Sequence, residues 1–92
     1  EEMQNTKNIF TVNTQGTVVL RSRQAGDTIR LNAGTRTLKK LFVDRKIPAA
    51  MRALVPVFAD ERGIVGVGGI GANVDRLAAG LPAMQIRIQS IE

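Results

Sequence analysis

The sequence predicts an α+β fold: a small, mainly antiparallel β domain with two short helices inserted in the middle. Short β-branched runs recur through the chain, and clusters of Gly, Asp and Asn separate them at close intervals, which is the spacing of strands joined by tight turns. One stretch, 35–52 (TRTLKKLFVDRKIPAAMR), departs from that pattern with apolar residues at helical spacing and a proline-marked second turn. A length of 92 residues allows one domain with a modest core. Residues 1–8 are polar and are expected to be a frayed tail or linker remnant, leaving 9–92 as the single domain. The chain starts without Met and reads as a piece of a longer polypeptide.

Ile9 to Asn13 (IFTVN) and Thr17 to Arg23 (TVVLRSR) flank Thr-Gln-Gly, and the simple expectation is a hairpin. Period 2 places Val19, Arg21 and Arg23 on one face of the second strand, so two arginines are expected to protrude together. Gln24-Ala25-Gly26-Asp27 is a turn signal, Thr28 to Leu31 a short strand, and Asn32-Ala33-Gly34 a loop. Thr35 or Thr37 can cap the helix that follows, expected from about residue 36 to Arg45 or Lys46. Its Leu38, Leu41 and Phe42 fall at i, i+3 and i+4 and form the core face, with Arg36, Lys40 and Val43 opposite and Lys39 on the flank. Ile47 before Pro48 ends the helix, and Pro48 opens a second one to about Leu54.

Val55 to Ala59 and Ile64 to Val67 read as strands joined by the turn Asp60-Glu61-Arg62-Gly63. Gly68 to Gly80 is expected to be loop with room for one turn of helix. Met84 to Ile91 alternates well enough to be a closing strand with Ile86 and Ile88 inward.

The net charge is +5, and its distribution is uneven. Between Arg21 and Arg52 stand nine Lys/Arg against two acids, so this segment carries +7 and the remainder −2. Such clustering suits phosphate backbones, where each neutralised phosphate releases counterions and Arg contacts oxygens in pairs. Arg36, Lys39 and Lys40 on the helix, joined by Arg21 and Arg23 from a strand, are therefore candidate nucleic-acid-binding residues. The plainer reading is a solvated surface face, with Lys40 and Asp44 as an i, i+4 pair. There is no Trp or Tyr, and the three Phe lie in apolar contexts, so base stacking on exposed aromatics is unsupported and backbone recognition of a folded duplex is favoured.

Several chemistries find no support. There is no Cys for thiolates or disulfides and no His for general base or metal work. No apolar run of about 18 residues and no signal peptide are present, so a soluble, cytoplasmic protein is expected. Gly66-Val67-Gly68-Gly69-Ile70-Gly71 matches G-x-G-x-x-G formally, but too little chain follows for the helix and ribose-binding acid that a dinucleotide site needs. Tight turns or close backbone packing explain those glycines better. No P-loop occurs, and the adjacent acids Asp60-Glu61 sit in a turn where a solvated surface is expected. Neither a catalytic residue nor a metal or cofactor site is expected within the chain.

RSRQAGDTIRL (Arg21 to Leu31), then LKKLFVDRKIP (Leu38 to Pro48), Arg52 and Pro56-Val57 together resemble the C-terminal domain of the tRNA(Ile)-lysidine synthetase family. The resemblance covers about residues 19–70. It implies a tRNA-binding module associated with the acceptor stem, with binding roles at Arg21, Arg23, Lys39, Lys40, Lys46 and Arg52 and capping or pairing roles at Asp27 and Asp44. It further implies a parent enzyme that adenylates the wobble cytidine of tRNA(Ile) with a CAU anticodon, using ATP with magnesium, before lysine displaces AMP. The partners implied are that tRNA and an N-terminal adenylating domain of the same polypeptide, which would carry the Ser-Gly-Gly-x-Asp-Ser loop absent here. The chain departs from the family pattern at Ala49, Ala50 and Val55, where Trp or a basic residue is common. A reading from another class is a basic protein-interaction or structural module with no direct RNA contact.

Overall fold

A hairpin of β5 (Val57–Asp60) and β6 (Gly63–Val67) lies at the centre of the domain and supplies side chains to two separate apolar clusters. The computed structural model describes residues 4–80 and 82–89. Val57 and Val67 are cross-strand partners on one face, whereas Phe58 and Gly66 are partners on the other. Strict alternation would then put Ile64, three residues from Val67, on the wrong side. A register shift between Phe58 and Ala59 absorbs the extra residue, so Ile64 joins Val67 in one cluster and Val65 points into the other.

On the first face, Ile29, Leu38, Leu41, Phe42, Val57, Ile64 and Val67 form a buried cluster. Leu38 and Phe42 have no exposed surface, and Val43 on the far side of the helix is half exposed, as the 3.6 period requires. That helix, α1 (Leu38–Asp44), begins at Thr37, whose hydroxyl accepts the Lys40 amide. A second helical turn, α2 (Ala49–Arg52), follows Pro48. On the other face, Phe10, Val12 and Val65 are buried with Phe58, Ala72, Ile86 and Ile88 packed around them. The Phe10 ring meets Phe58 edge to face at 6.1 Å.

The expected hairpin of the first two strands does not form. β1 (Ile9–Val12) pairs antiparallel with β8 (Met84–Arg87), while β2 (Val19–Arg21) pairs with β5 at the edge of a four-stranded sheet β2-β5-β6-β7, where β7 is Gly71–Ala72. The connection is held elsewhere: the Gln15 amide donates to the Asp60 carboxylate at 2.6 Å and the Gln15 carbonyl accepts from Glu61. Residues 34–37, expected as loop and helix start, form a further strand, β4 (Gly34–Thr37), in a hairpin with β3 (Thr28–Leu31). The helix accordingly starts at Leu38 and not near 36. The segment 68–80 contains β7 and one 3-10 turn (Val74–Arg76).

Gln4 to Asn8, read as a tail, are fastened to the body: Thr11 donates to Asn5 and Gln4, and Gly69 donates to Lys7 and Asn8. Ser90 and Ile91, the end of the expected closing strand, and 1–3 of the expected tail lie outside the described residues. No helix among the described residues is long and apolar enough to cross a membrane.

Candidate nucleic-acid interface

The formal G-x-G-x-x-G string turns out to be packing. A Cβ on Gly66 would stand 2.5 Å from the fully buried Phe10 ring, and one on Gly68 would meet Pro56 at the same distance. Gly69 in the turn between β6 and β7 and Gly71 at the start of β7 hold positive φ. No α-helix opens there; only a 3-10 turn, Val74–Arg76, follows.

The basic segment is different. The Leu38 amide donates to the Asp27 carbonyl at 2.9 Å, which draws the Gln24–Asp27 turn against the start of α1. Arg23 and Lys39, sixteen positions apart in sequence, thereby line one cavity of about 240 Å³ with Ala25, Gly26, Asp27 and Thr37. Arg23 is half-buried, and Lys39 and Lys40 are exposed on the first turn of α1. Among the described residues, the side chains of Arg23, Arg36, Lys39, Lys40 and Lys46 make no ion pair or hydrogen bond. Arg36 belongs to β4 and not to the helix, so its helical phase with Lys40 does not apply; it is the cross-strand partner of Ile29. Lys40 and Asp44 form no ion pair.

Two of the candidate arginines are engaged. Arg21, expected to protrude beside Arg23, turns onto Asp27 in a bidentate pair with nitrogens 2.8 and 3.1 Å from its oxygens. This is the pairing expected of Asp27, which also accepts the Gln24 amide at 2.7 Å. Burial alone would raise the Asp27 carboxyl, but the Arg21 and Gln24 bonds and the nearby charge of Arg23 hold it below the usual range. The Asp27 bond in turn raises Arg21. Arg52, half-buried, donates its Nε to the Ile47 carbonyl at 2.8 Å and so braces the link between the helices.

Lys46 occupies a position that sequence inspection overlooks. It has φ 57°, and the bonds Lys46 N–H to Val43 and Ile47 N–H to Phe42 close a Schellman motif at the end of α1. Ile47 then packs on the cluster that contains Phe42. Glycine usually fills this left-handed position, where a side chain is strained.

Sequence reasoning also missed Arg76. Its guanidinium, 5 % exposed, holds the Asp60 carboxylate bidentately, and that carboxylate has no exposed surface. Asp60 is thus a buried anchor and not the solvated turn residue expected from its neighbours. Burial would raise its carboxyl, yet Arg76 and the amides of Gln15 and Arg62 hold it down at about 2. Among the described residues, no three His, Cys, Asp or Glu side chains converge as a metal site would need.

The chain is similar in sequence and fold to known proteins. The tRNA(Ile)-lysidine synthase of Clostridioides difficile is 44% identical over 54 residues, covering 59% of this chain and 12% of that protein. That of Deinococcus radiodurans is 43% identical over 67 residues, covering 68% of the chain and 12% of the relative. The chain therefore spans about an eighth of the curated relatives it matches. A crystal structure of a TilS C-terminal domain has the same fold, with a TM-score of 0.70 and 23% identity over 91% of this chain and 73% of that one. The family model described as the TilS substrate C-terminal domain matches residues 18–88, most of the sequence, and the protein belongs to that family.

Proposed function

We propose that this domain is the tRNA-binding C-terminal module of a tRNA(Ile)-lysidine synthetase. It grips the body of tRNA(Ile) with a CAU anticodon through backbone phosphates, at the acceptor stem, while an N-terminal domain of the same polypeptide forms lysidine at the wobble cytidine in the cytoplasm. One observation carries the reading: Arg23 and Lys39, from separate elements, line one cavity beside the exposed Lys40, and the one acid in that lining, Asp27, is ion-paired with Arg21 and with neither of them. Arg36 and Lys46 add further exposed charge, and Arg21 and Arg52 are held by bonds to Asp27 and Ile47.

Phosphate recognition needs no exposed aromatic ring, which agrees with buried Phe10 and Phe42. ATP, magnesium and lysine are assigned to the adenylating domain; among the described residues Asp27, Asp60 and Asp75 are already paired with Arg21, Arg76 and Arg30.

Binding of the 92-residue chain to tRNA(Ile), followed by filter retention across a salt series, tests the proposal. Log K should fall linearly with log salt, by roughly 0.7 to 0.9 for each phosphate contacted. Lys39→Ala combined with Lys40→Ala should reduce both affinity and slope while leaving the melting temperature nearly unchanged. Weak, salt-insensitive binding would instead favour a protein-interaction module.

A further inference from the structure

We propose that the cavity between the Gln24–Asp27 turn and α1 is a site for one phosphate group, with Arg23 and Lys39 as its cationic ligands and Arg21 as the positioning residue that restrains Asp27. This inference rests on the RNA reading and names the group that the surface takes. The cavity, about 240 Å³, is smaller than the roughly 300 to 1,000 Å³ of sites that enclose drug-sized ligands, but it is roomy enough for an oxyanion and its waters. Three of its lining residues carry donors: the Arg23 guanidinium, the Lys39 ammonium and the Thr37 hydroxyl. The Thr37 oxygen accepts the Lys40 amide, so its proton remains free to donate outward. Gly26 has φ 88° with open space where a Cβ would stand, so the turn presents bare backbone at the rim.

The one acid in the lining is the obstacle to anion binding, and the structure deals with it. Asp27 is fixed by two Arg21 nitrogens and the Gln24 amide, with 12 % of its side chain exposed. The Arg21–Asp27 pair is neutral overall, leaving Arg23 and Lys39 to set the charge of the cavity. Without Arg21, an unpaired carboxylate would stand in the wall and repel a phosphate. Arg21 thus acts on the ligand only through Asp27, which gives a signature that a direct contact lacks.

Titration of the 92-residue chain with inorganic phosphate against chloride at equal ionic strength, read from the Gly26 and Thr37 amide resonances, tests this. Saturable shifts are expected in the wild type and in Arg62→Gln, a change in the distant β5–β6 turn. Arg23→Gln and Lys39→Gln should each weaken binding about tenfold, the scale of one charge-assisted bond. Arg21→Gln should weaken it comparably, and adding Asp27→Asn should restore it. Asp27→Asn alone should bind at least as tightly as wild type, which keeps the test decisive if Arg21→Gln does not fold. Absence of saturable shifts, or failure of Asp27→Asn both alone and as a rescue, would overturn the site.

RNA separates the two sources of phosphate. A duplex tested with and without its 5′-phosphate assigns a terminal monoester if Arg23→Gln matters only for the phosphorylated form, and an internal diester if the salt slope falls by about one for both. Phosphate shifts without RNA binding would retain the site and remove the RNA reading. RNA binding unchanged by Arg23→Gln and Lys39→Gln, with no phosphate shifts, would do the reverse.

Discussion

Asp27 and Asp60 each hold an arginine through two oxygens, yet they serve different parts of the molecule. The Arg21–Asp27 pair sits at the rim of the basic cavity with side chains 23 % and 12 % exposed. The Arg76–Asp60 pair is sealed at 5 % and 0 %, and the same carboxylate also accepts the Gln15 and Arg62 amides. Identical chemistry therefore has two uses. In one, the carboxylate gathers three parts of the chain; in the other, it is itself the group being neutralised.

The largest difference should emerge on breaking the sealed pair. Arg76→Ala leaves a buried carboxylate uncompensated and should cost roughly 3 to 5 kcal/mol in denaturant unfolding, a large share of a small domain's stability. A loss below about 1 kcal/mol would erase the distinction between the two pairs. Acid should sharpen it next. The Asp60 carboxyl lies at about 2, below the unfolded value near 3.9. Its contribution, about 2.5 kcal/mol, is thus present above pH ~4 and is lost as pH falls toward 2. Unfolding midpoints measured down this range should converge for wild type and Asp60→Asn.

At the rim the effects shrink. Arg21→Ala should cost roughly 1 to 2 kcal/mol, because water reaches the carboxylate left behind. The smallest expected change lies outside both pairs. Lys46→Gly relieves the left-handed strain and should stabilise by about 0.5 kcal/mol, after glycine's greater unfolded-state freedom is subtracted. If Lys46 is kept for its charge, the same variant should bind tRNA less tightly, so stability and affinity move in opposite directions.

The parts legible in the sequence are those governed by local periodicity. Leu38, Leu41 and Phe42 announce the buried face of α1, and Asp60 to Gly63 announce the β5–β6 turn. The false hairpin of Ile9 to Arg23 shows where local rules fail. Thr-Gln-Gly is an adequate turn, but Phe10 and Val12 find their apolar partners around Ile86 and Val65, and Asp60 captures the Gln15 amide between the two strands. β4 was hidden because Thr35 and Thr37 suit a helix cap as well as a strand.

At the candidate interface the supply of charge was legible, but its pairing was not. Nothing in the local pattern distinguishes Arg21, which meets Asp27, from Arg23, which lines the cavity with Lys39. Asp60 and Arg76 share no periodicity that would have paired them. Lys46 conceals a turn that Gly would have advertised.

The pairing of β1 with β8 has a consequence for how the domain is made. Ile9 lies opposite Arg87, so the strands nearest the two ends of the described chain must find each other. Closing so long a loop is entropically costly and late, and topologies rich in such contacts fold slowly. During synthesis, β2 to β7 emerge with all their mutual partners, whereas β1 waits with the Phe10 ring ungripped by Ile86 until β8 leaves the ribosome. The β1–β8 ladder is therefore a completion step, and a nascent chain halted before Met84 would keep its basic segment while lacking one side of its fold.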